Sequence, residues 1–302
     1  MKKISVITRT KNRPQLLKRC AENLLKQTMK DFQWVIVNDD GEKGDVQDIA
    51  DDAKSAGLDV ILLHKEQSTG LADAANHGIK NSVSEYIHLH DDDDSVDPSF
   101  YDKTSQFLDL RPCYGGVVCS TMRIEERLTP KNIIFIKKSR MFDSRMAIHI
   151  ADILVKNQFA PISFVFRRCA LDTVGYYDNS LPVLEDWDFN LRFSEFFDIG
   201  SIYEYLSNYH FRIPTAEEKT PQTVTASSML HEEYSAIIRN RIIRNVKNEK
   251  QMAFAVIMSH GRYHQLTINK LKIIDDYVRS TNLLGDFIKR FIKRYLNHHL
   301  NP

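Results

Sequence analysis

Tyr86-Ile87-His88-Leu89-His90-Asp91-Asp92-Asp93-Asp94 reads as an apolar strand that runs directly into four adjacent carboxylates. Four neighbouring negative charges repel one another, and a chain that gathers them at the tip of a buried strand has a cation to place there. In extended backbone alternate side chains share a face, so Asp91 and Asp93 point together. A Mg²⁺ or Mn²⁺ ion in a phosphate site takes only one or two carboxylates and fills its shell with phosphate oxygens and water, so one such pair is enough. The plainer reading is a solvated acidic turn before the helix that Pro98 opens, where the helix dipole favours Asp.

Working outward from this stretch, the chain alternates strands and helices. Ile4–Thr8, Phe32–Val37 and Val60–Leu63 are apolar runs of strand length. Between them lie helical patterns: Leu16, Leu17, Cys20, Leu24 and Leu25 behind Asn12 and Pro14, then Val46 to Ala56 closed by Gly57, then Thr69 to Asn81 with Thr69 as N-cap. Four βα units within about 100 residues predict a parallel, doubly wound sheet. Ligands of such sheets bind beyond the carboxyl ends of the strands. Those ends are Thr8-Arg9-Thr10, Asn38-Asp39-Asp40 and Asp91 to Asp94, which should face one crevice. After residue 112 the rhythm weakens. Strands are expected at Gly116–Ser120, Ile162–Phe166 and Ile202–Phe211, and a helix from Leu184. Pro214 to Pro221 reads as a linker, and residues 226–302 as mostly helical.

The 302 residues suffice for one large α/β domain with an appendage. Apolar residues make up 42% and charged residues 27%, as in ordinary globular proteins. Cys20, Cys113, Cys119 and Cys169 form no CxxC and no zinc spacing, which suggests reduced, buried thiols. No run reaches the roughly 18–20 apolar residues of a membrane span, and the start lacks a signal-peptide core, so a cytoplasmic chain is expected. The net charge of +1 conceals an asymmetry: from Arg241 onward twelve Lys and Arg stand against four Asp and Glu.

Other acids could carry chemistry. Asp39, at a strand end, could accept a hydrogen bond from a base or a ribose, although Asn38-Asp39-Asp40-Gly41 is also strong turn sequence. Glu185-Asp186 could be helix-capping groups, or Asp186 could be a general base. Glu185, Asp188 and the Asp91–Asp94 cluster would raise its pKa by repulsion, and an apolar setting from Trp187 would add to this. His210 and Arg212, at the end of the last expected strand, could meet a metal or a phosphate.

Taken in order, these pieces resemble the inverting GT-A glycosyltransferases of family 2. The family's opening "PTYNR" turn is similar to Arg9-Thr10-Lys11-Asn12-Arg13-Pro14, and its "VDDGS" to Val37-Asn38-Asp39-Asp40-Gly41-Glu42. Gly70 through Ala74, Asn76, Gly78 and Ile79 match its "GxxxAxNxGI", and Glu85-Tyr86-Ile87 through Asp94 its "EYIxFLDxDD". Phe166-Arg167-Arg168 through Leu171, Gly175, Asp178 and Leu181, then Glu185-Asp186-Trp187-Asp188 through Leu191-Arg192, complete the set. The resemblance covers about residues 1–212. It implies a GT-A fold, a Rossmann-like mixed sheet flanked by helices, over 1–213 (nucleotide half 1–112, acceptor half 113–213), with a linker and helical region over 214–302. It also implies roles. Asp39 binds the nucleobase. Asp91 and Asp92 meet the ribose and the metal shell. Asp93, with Asp91 and His210, holds Mn²⁺ or Mg²⁺. Asp186 is the catalytic base. Thr8, Arg9, Thr10, Arg13 and Gly70 line the donor site, while Glu185 and Trp187 lie on the acceptor side. The implied reaction moves a sugar from a nucleoside-diphosphate sugar (UDP first, dTDP or GDP as alternatives) to a glycan or lipid-linked hydroxyl, in surface polysaccharide synthesis. Two departures stand out: Arg9 replaces a small residue beside the base pocket, and Ala75 stands where many members carry Arg. Arg9, Arg13 or Arg212 would then face the diphosphate.

Rival readings are weaker. Asp93-Asp94-Ser95-Val96-Asp97 matches the DDxxD of isoprenyl diphosphate enzymes, but those are all-helical and carry two copies. A nucleotidyltransferase would need a Gly-rich phosphate loop after the first strand, and Thr8 to Gln15 contains no Gly. A non-catalytic carbohydrate-binding protein would have lost the acids. Outside the resemblance, Leu283, Leu284, Phe287, Ile288, Phe291, Ile292, Tyr295 and Leu296 share a helical face opposite Lys289, Arg290, Lys293 and Arg294. Such a helix suits an anionic membrane surface on the inner face of the cell membrane, or docks on protein. Nothing points to nucleic acid.

Overall fold

The computed structural model describes residues 1–129, 132–144, 148–213, 228–246, 249–281 and 294. The described residues form two compact units, Met1–Ile150 with Asn157–Ala236, and Ala151–Lys156 with Ile237–Pro302.

In the first unit the early strands form where apolar runs are unbroken. β1 (Lys2–Thr10), β2 (Phe32–Asp39), β3 (Val60–Lys65) and β4 (Ser84–Leu89) pair in parallel in the order β3-β2-β1-β4, with Ile4 opposite both Phe32 and Tyr86. The connecting helices are α1 (Pro14–Leu25), α2 (Lys43–Ser55) and α3 (Leu71–Lys80). Pro14 occupies the first helical turn, where its missing N–H costs nothing. α3 starts two residues later than expected. Gly70 takes a positive φ of 111° at its N-cap, and the Thr69 hydroxyl instead donates to Asp73. Gly78 is required for close packing, since a Cβ there would lie 2.5 Å from Ile7 Cγ2.

Beyond β4 the sheet is mixed rather than wholly parallel. Among the described residues nine strands form one sheet, continuing β4-β8-β6-β9-β5. The added strands are β5 (Ser95–Val96), β6 (Tyr114–Leu128), β7 (Ile133–Phe142), β8 (Phe164–Arg167) and β9 (Asp198–Arg212), with α4 (Phe100–Leu110) between β5 and β6. β8 runs antiparallel to both β4 and β6, and β7 pairs with β6 off the main path. Two short helices, α5 (Ile150–Val155) and α6 (Leu171–Val174), precede α7 (Glu185–Phe196). α7 is anchored by aromatics: Phe189 lies 5.2 Å from Phe166 and stacks on Tyr177 at 4.5 Å. The two arginines after Phe166 are structural. Arg167 donates to the carbonyls of Tyr114 and Leu108, and Arg168 to those of Ser84 and Ile79. Cys20 and Cys119 are buried free thiols as expected, whereas Cys113 and Cys169 are exposed.

In the second unit, α8 (Ser228–Arg244, entering from the first unit) and α9 (Glu249–Thr281) supply the apolar residues Ile238, Met258 and Ile268, all nearly fully buried. Arg239 donates to the carbonyls of Leu154, Val155 and Met258. No helix among the described residues is long and apolar enough to cross a membrane. The expected linker from Pro214 to Pro221 lies outside the described residues, and so does the expected basic helix over Leu283–Leu296 apart from Arg294.

Candidate functional site

The strand order reverses between β1 and β4, and this is where an open α/β sheet leaves a crevice. A cavity of about 330 Å³ opens there, lined by Arg9, Arg13, Asp91, Asp93, Glu185 and Asp186 among others. Among the described residues three non-glycine residues adopt positive φ: Asn12 (53°) after β1, Asp40 (64°) after β2 and Leu184 (62°) before α7. Backbone strain of this kind concentrates where a fold aims side chains at a site. Leu184 itself lines the cavity, and its left-handed turn precedes the two acids that open α7.

Arginines organise the carboxylates. Arg9, almost fully buried, makes a bidentate pair with Asp91, Nε to Oδ1 at 2.7 Å and Nη2 to Oδ2 at 2.6 Å. Its Nη1 reaches Glu185 Oε1 at 3.1 Å and the Leu71 carbonyl at 3.0 Å. One guanidinium thus ties the end of β4 to the start of α7. Burial opposes the charge on Asp91, but Arg9 outweighs it and holds the carboxyl below its usual range. Asp93 Oδ2 lies 2.8 Å from Arg212 Nη2 and 3.3 Å from Arg13 Nη1.

Among the described residues Asp186 makes no ion pair. Its Oδ2 accepts from Asn157 Nδ2 at 2.7 Å and its Oδ1 from the Trp187 N–H at 2.7 Å. Burial, then repulsion from Glu185, pushes its carboxyl up to about 7. Asp188, expected to contribute repulsion, instead pairs with Arg192 at 2.9 Å.

Several expected site residues sit otherwise. Thr8 is fully buried, and its hydroxyl accepts from Trp34 Nε1 at 2.9 Å, so it holds the core. Thr10 is buried beside Asp92. Asp92 is itself inaccessible, with Oδ1 2.8 Å from Arg13 Nη2, and burial pushes its carboxyl up to about 7, so it backs the site and does not meet solvent. His210 is engaged at both ring nitrogens, Nδ1 with Glu126 at 2.7 Å and Nε2 with Ser95 at 2.9 Å, so here it braces β9 against β5 and β6 and is not among the residues that line the cavity. Trp187 is 2% exposed, part of the core and unavailable for stacking on an acceptor. Arg9 belongs to the ion-pair network described above and also lines the cavity. Asp39 lies at the strand end as expected, receiving Lys65 Nζ at 2.7 Å and Ser68 Oγ at 2.6 Å. Gly70 turns the chain into α3 beside the cavity-lining Leu71.

Other contributors are not among the expected site residues. Arg19, on α1, pairs with Glu126 and donates to the Asp93 carbonyl. Asp94 is buried and accepts the His210 N–H at 2.8 Å, which fixes β9 to the acidic turn. Asn76, the Asn of the glycine-led motif, bonds the Tyr177 backbone in both directions at 2.8 and 3.0 Å, seating the approach to α7. Asn157 lies in a stretch with no readable signal, and only its contact with Asp186 reveals it.

Among the described residues no group of three or more His, Cys, Asp and Glu side chains is arranged to hold a metal ion. The donors at the crevice still fit a divalent cation of the phosphate-completed kind. Asp93 is a hard oxygen ligand, partly exposed to the cavity, and such a cation needs only one or two carboxylates.

Residues 5–168 match the model of Glycosyl transferase family 2. The chain belongs to this family. It is therefore a glycosyltransferase, and its sheet is the GT-A fold. A Bacillus subtilis family relative, named uncharacterized glycosyltransferase YwdF, is 29% identical over 190 residues, which is 63% of this chain and 67% of the relative. The S. aureus TarS 1–349 structure in complex with UDP-GlcNAc superposes with a TM-score of 0.65 at 14% identity, covering 92% of this chain and 81% of that one. A Pyrobaculum calidifontis mannosyltransferase, PcManGT, in complex with GDP-Man and Mn²⁺, gives 0.64 at 14% identity, covering 97% and 79%.

Proposed function

We propose that this family 2 member transfers a sugar, with inversion, from a nucleoside-diphosphate sugar to a hydroxyl of a glycan or lipid-linked acceptor, in synthesis of a surface polysaccharide at the inner face of the cell membrane. The observation that carries this is the pair of environments in one cavity: Asp186, half-buried and in no ion pair among the described residues, beside the arginine-braced acids that end β4. The TarS complex supports UDP as the carrier, and the PcManGT complex keeps GDP open.

In the proposed reaction the acceptor oxygen attacks the anomeric carbon from the face opposite the leaving diphosphate. The new C–O bond forms as the bond from the anomeric carbon to the phosphate oxygen breaks, and the electron pair leaves with the diphosphate. Asp186 takes the acceptor proton, as a carboxylate with a raised pKa can do near neutral pH. Asn157 and the Trp187 N–H hold that carboxylate in place. Asp39, with Lys65 and Ser68, is placed to hold the base. Arg13 and Arg212 flank Asp93 and can turn to the diphosphate. Asp93 would hold Mn²⁺ or Mg²⁺, which when bound supplies positive charge against the leaving diphosphate.

Thermal-shift measurements with nucleoside diphosphates and Mn²⁺ test the donor assignment. A shift with UDP that Asp39→Ala abolishes is expected, and stabilisation by no nucleotide would exclude it. Chelation with EDTA should lower turnover at least tenfold, with recovery on adding Mn²⁺. Unchanged turnover in EDTA would assign the leaving group's charge to Arg13 and Arg212 instead.

A further inference from the structure

β7 lies off the main path of the sheet and, among the described residues, pairs only with β6. Its outer edge therefore carries unpaired backbone groups, a feature folds usually keep short or cover. Here it is ten residues long. Ile134, Phe135 and Ile136 are 48%, 62% and 42% exposed, consecutive, and outside the crevice. The register with β6 skips Ile136 and Met141, so two bulges break the alternation that would hide one face. Single exposed apolar residues need no explanation, but an unbroken run on a free edge marks a contact surface.

Charge identifies the contact. Lys137, Lys138 and Arg140 follow the apolar run, all exposed. Among the described residues none of the three has a carboxylate within ion-pair distance. Glu125, opposite Lys137, pairs with Arg123 at 3.2 Å, and Glu126 is buried against Arg19 and His210. Pairing β7 with β7 of a second copy would set these cations against each other with no acid to offset them. An apolar stretch beside uncompensated cations matches the boundary between lipid headgroups and acyl chains on an anionic leaflet.

We propose that the β6–β7 hairpin docks this protein on an anionic lipid surface. Ile134, Phe135 and Ile136 enter the headgroup boundary, and Lys137, Lys138 and Arg140 meet lipid phosphates. Met141, near the other end of the same strand, lines the crevice. Docking through β7 would bring that crevice to the lipid surface, where a lipid-linked acceptor presents its hydroxyl. The docking is measured without turnover, so it stands or fails separately from the proposed reaction.

The test is flotation of the full chain with vesicles of phosphatidylcholine alone and of phosphatidylcholine mixed with phosphatidylglycerol. The parent should bind the mixed vesicles. Ile134→Ser with Phe135→Ser, and separately Lys137→Glu with Lys138→Glu, should each weaken binding roughly tenfold or more. The UDP thermal shift of the parent should be kept in both. Because the C-terminal tail is the same in all three proteins, the difference reports the hairpin. Equal flotation of parent and variants overturns the proposal, as does a parent that binds neither vesicle. A dimer in sedimentation that the Ser variant converts to monomer, with flotation unchanged, would assign β7 to a second copy and overturn it as well.

Discussion

Glu185 and Asp186 are neighbours in sequence with opposite surroundings. Glu185 pairs with the Arg9 guanidinium, while among the described residues Asp186 is held by an amide and a backbone N–H. That difference is the ground on which Asp186 is proposed as the proton acceptor. A substitution to Asn should lower the transfer rate by about 10²–10⁴-fold, the usual contribution of a positioned base. It should also stabilise the fold. The native pKa of Asp186, about 7, lies above the roughly 3.9 of an unfolded Asp, so the folded protein favours the protonated form. Ionisation then costs stability progressively as pH rises from about 4 through 7. The neutral amide of the variant carries no such cost, so Asp186→Asn should melt close to the parent at pH 5 and roughly 3 °C or more above it at pH 8. A variant that melts lower than the parent at both pH values would contradict this environment for Asp186.

At the scale of elements, Arg9 holds the end of β4 and the start of α7 in one geometry. Arg9→Ala would leave Glu185 buried and Asp91 half-buried without their shared cation, at a cost of about 3 kcal/mol, the lower end for a broken buried pair because Asp91 is partly solvated. Arg9→Lys keeps the charge but loses the fork that spans both acids. It should remain folded, retain UDP binding and lose turnover, a split visible by comparing thermal shift with rate. Equal loss of binding and rate would place Arg9 in the donor site after all. The elements differ in how readable they are. β1 to β4 are legible because buried parallel strands are continuous apolar runs between helical periods. β7 is not, because Ile133–Phe142 mixes apolar and basic residues without alternation and, among the described residues, hydrogen-bonds to one strand only. β5, two residues long, exists only through its pairing with β9. The order of acids along the chain is legible, but which of them is buried, paired or bare is not. Thr8, Asp92, Trp187 and His210 are reassigned by partners far away in sequence, and no local pattern reports those partners.

At the scale of the whole molecule, the first unit assembles acids from β2, β4 and α7 with arginines from β1, the turn after it and β9 around a reversal in strand order. Under the proposed function, a cavity dense in carboxylates would serve a donor that arrives with phosphates and a cation. The donor should therefore stabilise the protein more in the presence of Mn²⁺ than without it, by thermal shift at fixed UDP. Stabilisation independent of the metal would leave the arginines as sole partners of the diphosphate. We propose that Asp186 takes the acceptor proton. The most direct measurement is the pH dependence of the single-turnover transfer rate for parent and Asp186→Asn at saturating donor. The parent rate should rise with pH through an apparent pKa near 7, and the variant should be slow and flat while binding the donor equally well. A variant that keeps the parent's rate and the same acidic limb would contradict the claim.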